Sequence, residues 1–391
     1  MPKRYYIFLR DVLLLSVTSF GGPQAHIAYL YEQMVKKRRY ITEEELFELF
    51  ALCQILPGPT STQTITAIGF KIGGPNLAYL TLLVWVLPAV SIMTLAAIII
   101  SSLQAQSISL EFTRFIQPMA VGFVAFAAYR ISRKVIFSRT GIILLIISAV
   151  LSYFFNSPYI FPLIILAGGA ITAIKYKSHP AVEKDKIKIN WSNFLLWAGV
   201  FIFAALLGHF TRLLPVRLFE NFYRNGSLIF GGGQVLIPLL YTEFVEFKNY
   251  LSSEEFLTGF SIVQALPGPT FSFSAYIGAL TMRDYGLLGK VLGGIIASLG
   301  IFLPGTFLIF FVIRFWSSLK KYRVIKASLE GINAASSGMV TAAALLLFQP
   351  LDTNVTNVGI VVATFLLLVF TKIPAPFIIL LGLIAGLFDF L

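Results

Sequence analysis

Phe20-Gly21-Gly22-Pro23-Gln24 and Gln54-Ile55-Leu56-Pro57-Gly58-Pro59-Thr60 return, little altered, as Phe230-Gly231-Gly232-Gly233-Gln234 and Gln264-Ala265-Leu266-Pro267-Gly268-Pro269-Thr270. In each copy the glutamines are 30 residues apart (54 − 24 and 264 − 234), and the copies lie 210 apart (234 − 24). The chain therefore carries an internal duplication. Glycine and proline at these positions stop a helix and restart it. Both motifs sit in strongly apolar sequence, and within a bilayer an interrupted backbone is tolerated only where it lines a cavity or is buried in protein.

The surroundings of the motifs set the class. Of 391 residues 57% are hydrophobic and 12% charged, and the mean hydropathy is +0.83, whereas soluble domains carry about a quarter charged residues. The expected fold is an all-α polytopic membrane protein with two homologous inverted-topology repeats, whose broken or re-entrant helices meet at mid-membrane. The lone Cys53 allows neither a disulfide framework nor a cysteine metal site and reads as core packing. No metal and no cofactor are expected. Met1-Pro2-Lys3-Arg4 leads into an apolar run holding Arg10 and Asp11 without a small-residue cleavage site, so no cleavable signal is expected. The net charge of +12 reads as lysine and arginine gathered in cytoplasmic loops, not as a nucleic-acid surface.

Apolar runs long enough to cross a bilayer, about 20 residues, stand at 77–103, 115–136, 141–155 and 159–174 in the first half. In the second they stand at 287–315, 327–347, 355–371 and 375–391. Residues 1–174 form the first repeat, 175–190 a basic cytoplasmic linker, 191–214 an extra transmembrane helix, and 215–391 the second repeat. The duplication reaches beyond the motifs. Thr42-Glu43-Glu44-Glu45 matches Ser252-Ser253-Glu254-Glu255 as a capped helix start, and Pro88 matches Pro304. If the motif pair of each half makes an even number of crossings, Arg133, Lys134, Arg139 and the linker lie inside. Because 191–214 crosses alone, the second repeat starts from the opposite face, which puts Arg314, Lys320, Lys321, Arg323 and Lys326 inside as well. An inverted repeat thus satisfies the positive-inside rule and a parallel one violates it. The N-terminus is expected to be cytoplasmic and the C-terminus extracytoplasmic. Lys36-Lys37-Arg38-Arg39 stays inside only if the motif segments are re-entrant.

The restarted helices carry the chemistry. Pro59 suits the first helical position and Gly58 the cap before it, which leaves the amides of Thr60, Ser61 and Thr62 without intrahelical partners. Such an end carries roughly half a positive charge and attracts anions. Gly21, Gly22 and Pro23, then Gly232 and Gly233, then Pro267, Gly268, Pro269 and Thr270 repeat the arrangement beside Pro57. The amides of Gln24, Gln54, Gln234 and Gln264 and the hydroxyls of Thr60, Ser61, Thr62, Thr270 and Ser272 are neutral donors that can replace a hydration shell without a buried charge. This inventory fits a small oxyanion better than a cation, which would want carboxylates and carbonyls. Arg224 is a second-half candidate for anion attraction, with interfacial snorkelling as its other reading. His26 and Glu32 are candidates for proton coupling, His26 because imidazole titrates near neutrality. Their other readings are a hydrogen-bonded core residue and an ion pair with Lys36 or Lys37.

Phe20-Gly21-Gly22-Pro23 with Ala25-His26-Ile27, Leu56-Pro57-Gly58-Pro59, Phe230-Gly231-Gly232-Gly233 and Leu266-Pro267-Gly268-Pro269 resemble the chromate transporter family in its long form with two homologous halves. The resemblance covers nearly the whole chain. It implies a carrier in the cell membrane that exports chromate, a tetrahedral dianion similar to sulfate, with proton coupling or sulfate exchange. Where the first repeat of the family often has a basic residue, six before the motif phenylalanine, this chain has Leu14, and the second repeat keeps Arg224.

The expected activity is secondary transport of chromate or a related oxyanion such as sulfate by alternating access. An anion channel, or a carrier of another small anion, is the alternative. One cysteine, three histidines and no dinucleotide fingerprint leave little for a membrane-embedded reductase, so no enzyme is expected. Lipid and the anion are the expected partners, nucleic acid is not, and a homodimer is a compatible assembly.

Overall fold

The computed structural model describes residues 3–20, 22–106, 113–135, 138–155, 157, 160–174, 190–230, 233–316, 322–371 and 373–390. Among them are sixteen α-helices and no strand. The first half holds α1 (Lys3–Thr18), α2 (Gly22–Leu30), α3 (Glu43–Ile55), α4 (Thr60–Ala105), α5 (Ile116–Val135), α6 (Arg139–Phe154) and α7 (Ile160–Ala173). After α8 (Ser192–Thr211) the second half holds α9 (Leu214–Leu228), α10 (Gly233–Tyr241), α11 (Ser253–Ala265), α12 (Phe273–Thr281) and α13 (Gly286–Val312). It ends with α14 (Arg323–Phe348), α15 (Val355–Phe370) and α16 (Ala375–Phe390). The expected membrane segments fall on α4 to α8 and α13 to α16. Four stretches, Thr60–Ala105, Ser192–Thr211, Arg283–Val312 and Ala327–Phe348, are long and apolar enough to cross a membrane, and α6, α7, α15 and α16 are shorter apolar helices. The chain is a membrane-embedded all-α protein. The linker expected at 175–190 lies outside the described residues except for Asn190.

Local chemistry accounts for the helix ends. Thr42 accepts from the Glu45 amide at 3.2 Å and its own amide donates to the Glu45 carboxylate at 2.9 Å. Ser252 and Glu255 repeat the capping box at 3.1 and 2.8 Å, each box satisfying amides that the first turn leaves bare. Ahead of both boxes the helix widens into a π-helical turn, Tyr31–Lys37 and Thr242–Phe247. Each is followed by a residue in the left-handed region, Arg39 and Asn249, both at φ 52° and 210 positions apart. Within α4 the motif helix and the following span are two helices that meet at Gly73 and Gly74, where the backbone leaves helical geometry and φ at Gly74 is 72°. The same bend separates α12 from α13 at Gly286, φ 70°.

The helices gather into two compact units, each drawing on both halves of the sequence. The first comprises residues 1–98, 186–233 and 266–317, the second 99–185, 234–265 and 318–391. In the first, α13 packs on α9, α12 and α8. Its glycines let backbones meet: a Cβ at Gly300 would stand 2.8 Å from that of Phe222, and Gly278 lies directly on Gly293. In the second unit α14 packs on α5, α6 and α7, with Gly331 against Gly168 and Gly338 against Leu145. Small residues at crossings are the expected packing device where lipid supplies no hydrophobic drive between helices.

Candidate functional site

The two Pro-Gly-Pro breaks lie side by side in the first unit. The Gly58 amide donates to the carbonyl of Ile229 at 2.8 Å, and the Gly268 amide donates to the carbonyl of Ser19 at 2.9 Å. Ser19 and Ile229 each directly precede a Phe-Gly-Gly motif, so each break is tied to the opposite half. Both glycines have positive φ, 114° and 99°, which L-residues with a Cβ rarely adopt. A Cβ at Gly58 would also meet Gly305 at 3.3 Å, and one at Gly268 would meet Ala89 at 3.2 Å. Gly305 and Ala89 follow the matched prolines Pro304 and Pro88, so this contact too is reciprocal.

From the first break α4 rises. Its Gln63 amide closes the first turn on the Pro59 carbonyl at 2.9 Å, which leaves the amides of Thr60, Ser61 and Thr62 without intrahelical acceptors. The second break restarts more tightly, as a 3-10 turn over Thr270–Ser272. There Ser272 bonds back to Pro269 at 2.9 Å, so one fewer amide is left bare. Both helix starts border one small cavity lined by His26, Pro59, Thr60, Ser61, Gly233, Pro269, Thr270 and Phe271. Its volume is about 10 Å³, room for about one water. A tetrahedral dianion does not fit in it without movement.

His26 is buried, with 1% of its surface exposed. Its Nδ1 lies 3.0 Å from the Ser61 hydroxyl and its Nε2 3.2 Å from the Ser19 carbonyl. The Trp85 ring meets it edge-on, with centroids 5.4 Å apart. The Trp85 indole N–H donates to the Thr62 hydroxyl at 3.2 Å. Gln63 donates from Nε2 to the carbonyls of Pro57, at 2.7 Å, and Gly305, at 3.2 Å. Two carbonyl partners fix the orientation of that amide, and Oε1 stays buried without a partner. The hydroxyls of Ser19 and Ser272 are likewise buried and unpartnered.

Of the residues singled out in the sequence, the structure gathers Pro59, Thr60, Ser61, Gly233, Pro269, Thr270 and His26 around the cavity. Pro57, Gly58, Pro267 and Gly268 form the two breaks beside it. Gln54 is exposed on the last turn of α3, and Gln264 is half-buried on the last turn of α11. Gly22, Pro23 and Gln24 open α2, and Gln234 is the second residue of α10. Gly21 and Gly232 lie outside the described residues. Arg224 is buried on α9, bonded to Glu220 at 3.1 Å and Asn221 at 3.4 Å, and is not among the cavity-lining residues. Glu32 pairs with Lys36 at 2.7 Å, about half exposed. Cys53 is buried.

Gln63 and Trp85 escaped the sequence reading. The signal was the mismatch between halves: at the spacings of 210 and 216, Gln63 faces Phe273 and Trp85 faces Ile301. A polar residue set against an apolar twin marks a position where the halves have separate tasks.

Comparison with known proteins agrees with the motif resemblance. The family model described as "Chromate transporter" matches residues 7–173 and again 216–387. An uncharacterized transporter of Methanocaldococcus jannaschii is 26% identical over 394 residues, covering 98% of this chain and 94% of the relative. A probable chromate transport protein of Synechococcus elongatus is 24% identical, over 96% of this chain and 93% of the relative. A chromate transport protein of Cupriavidus metallidurans is 23% identical, over 95% and 91%. No solved structure matches. With a duplicated motif set and two consecutive matches spanning most of its length, this chain belongs to the chromate transporter family.

Proposed function

We propose that the chain is a secondary carrier of chromate or a similar tetrahedral oxyanion, sulfate included, and that the anion sits where the two broken-helix starts adjoin. One observation carries the reading: the starts after Pro59 and Pro269 border a single cavity whose donors are bare amides and hydroxyls, with no ionised side chain among its lining residues. Two helix N-termini there supply positive potential without a buried cation, and neutral donors can release the anion again. A cavity with room for about one water favours a carrier, which must rearrange to admit its substrate, over an open pore.

The reciprocal bonds Gly58 to Ile229 and Gly268 to Ser19 support a two-fold relation between the repeats, since residue i meets j′ as j meets i′. With α8 as an unpaired crossing, the axis would lie in the membrane plane, the repeats would be inverted and rock about the site, and the N-terminus would be cytoplasmic. Export, driven by a proton gradient or by exchange, is the direction that the family resemblance implies.

The test is chromate uptake into liposomes holding the purified protein, with and without sulfate inside. Uptake above protein-free vesicles, accelerated by internal anion, is the expected result. Uptake equal to that of protein-free vesicles overturns the assignment, and uptake without such acceleration overturns the carrier mechanism in favour of a pore.

A further inference from the structure

The anion site is chemically one-sided. At the spacings that relate the halves, His26, Ser61, Gln63 and Trp85 correspond to Leu236, Phe271, Phe273 and Ile301. Thr60 and Thr270 line the cavity from both halves, but where the first half adds the His26 imidazole and the Ser61 hydroxyl, the second half adds the hydrocarbon of Phe271.

The hydrogen bonds of His26 fix its protons. The Ser19 carbonyl can only accept, so Nε2 carries hydrogen and donates to it. In the neutral ring Nδ1 is then bare, and the Ser61 hydroxyl must donate to it. Ser61 has one hydroxyl proton, and in this state that proton points away from the cavity. When a second proton arrives at Nδ1, the new N–H donates to Ser61 Oγ and the hydroxyl proton must turn elsewhere. Ser61 lines the cavity, and the cavity is the open direction.

We propose that His26 governs anion affinity through Ser61: protonation of the imidazole turns the Ser61 hydroxyl into a donor to the bound oxyanion. Proton and anion uptake are then linked, each strengthening the other. The groups facing the imidazole are Ser19 after α1 and Ser61 and Trp85 from α4. None of the three titrates near neutrality, and among the described residues no charged group acts on the ring. His26 is thus a positioning residue that acts through Ser61, and this assignment rests on the oxyanion site proposed above.

The experiment is chromate binding to the full-length protein in detergent from neutral pH down to the most acid pH at which the protein stays folded, for the wild type, Ser61→Ala, His26→Ala and the variant with both changes. Titration of chromate itself is common to all four and cancels in their ratios. The ratio of wild-type to Ser61→Ala affinity should grow about tenfold or more as pH falls, the worth of one hydrogen bond to a charged acceptor. In His26→Ala the Ser61 proton is never held back, so the ratio of its affinity to that of the variant with both changes should stay flat with pH. A ratio of wild type to Ser61→Ala that stays flat overturns the relay, and so does loss of all low-pH binding in a folded His26→Ala, which would make the imidazolium a direct ligand. Absence of chromate binding by the wild type at every pH overturns instead the site on which the relay rests. Should Ser61→Ala fail to fold, Ser61→Cys, a weak donor, takes its place and should fall on the same side of the wild type.

Discussion

The amide of Gly58 donates a 2.8 Å hydrogen bond to the carbonyl of Ile229. Its partner bond, from Gly268 to Ser19, has the halves of the chain exchanged. Through this pair the backbone that restarts one helix satisfies the carbonyl left by the helix that stops in the other half. Broken helices at membrane depth need such partners, because no water or lipid supplies them. Each break is consequently fixed to the chain just before the other half's Phe-Gly-Gly motif, and what the breaks can do to a solute depends on how rigidly they are held.

Gly58→Ala and Gly268→Ala test that rigidity. At φ of 114° and 99° a Cβ is strained by about 1–3 kcal/mol. At Gly58 it also stands 3.0 Å from the Gln63 amide nitrogen, while at Gly268 its nearest neighbour is the Ala89 methyl at 3.2 Å. Each variant should lower the detergent unfolding temperature and reduce chromate uptake, Gly58→Ala more than Gly268→Ala. Thermal unfolding followed by intrinsic fluorescence checks the order, and an unchanged midpoint in both would show that the crossed bonds are dispensable.

Gln63→Leu should be among the more damaging single changes near the site. It removes a donor from the carbonyls of Pro57 and Gly305 while roughly keeping volume; the Gly305 carbonyl keeps its place in the α13 ladder, so the main cost is the buried Pro57 carbonyl, about 1–3 kcal/mol. Gln63→Glu should be similarly damaging, since a carboxylate cannot donate to two carbonyls. The measurement is again the unfolding midpoint, with uptake at saturating chromate. If Gln63→Leu matches the wild type, the clamp has no structural weight.

The sequence made the breaks legible because glycine and proline act locally: Gly58 and Pro59 end and restart a helix whatever surrounds them. The capping boxes at Thr42 and Ser252 were legible for the same reason, each being a four-residue affair. Tertiary relations were not. Nothing local says that Gly58 bonds across to Ile229, or that Gln63, a plain polar residue in an apolar helix, reaches Gly305, 242 positions away. Gln54 and Gln264 stood out by their repeat spacing, yet spacing along the chain carries no direction in space. Those two end their helices exposed or half-buried, while Ser61 and His26 line the cavity.

Gln54→Ala and Gln264→Ala therefore separate two roles for the motif glutamines. If they meet the anion in an access state of the carrier, uptake should fall several-fold in each while membrane insertion and unfolding midpoint stay at wild type. If they only end their helices, uptake will be unchanged. Comparing initial rates at low and saturating chromate distinguishes weaker binding from slower turnover.

Trp85→Phe isolates a single donor. Phenylalanine keeps an aromatic edge against His26 but loses the indole N–H that holds the Thr62 hydroxyl at 3.2 Å. The loss of one buried hydrogen bond is about 1 kcal/mol of stability, a small downward shift in unfolding temperature. Thr62, freed from that donor, can turn its hydroxyl within the first turn of α4, where the bare amides of Thr60 and Ser61 stand. Its acceptor lone pairs then compete with the anion for those amides, so chromate affinity should fall while the maximal rate holds. An unchanged affinity together with a lower maximal rate would place Trp85 in the movement of α4 and not in the chemistry of the site.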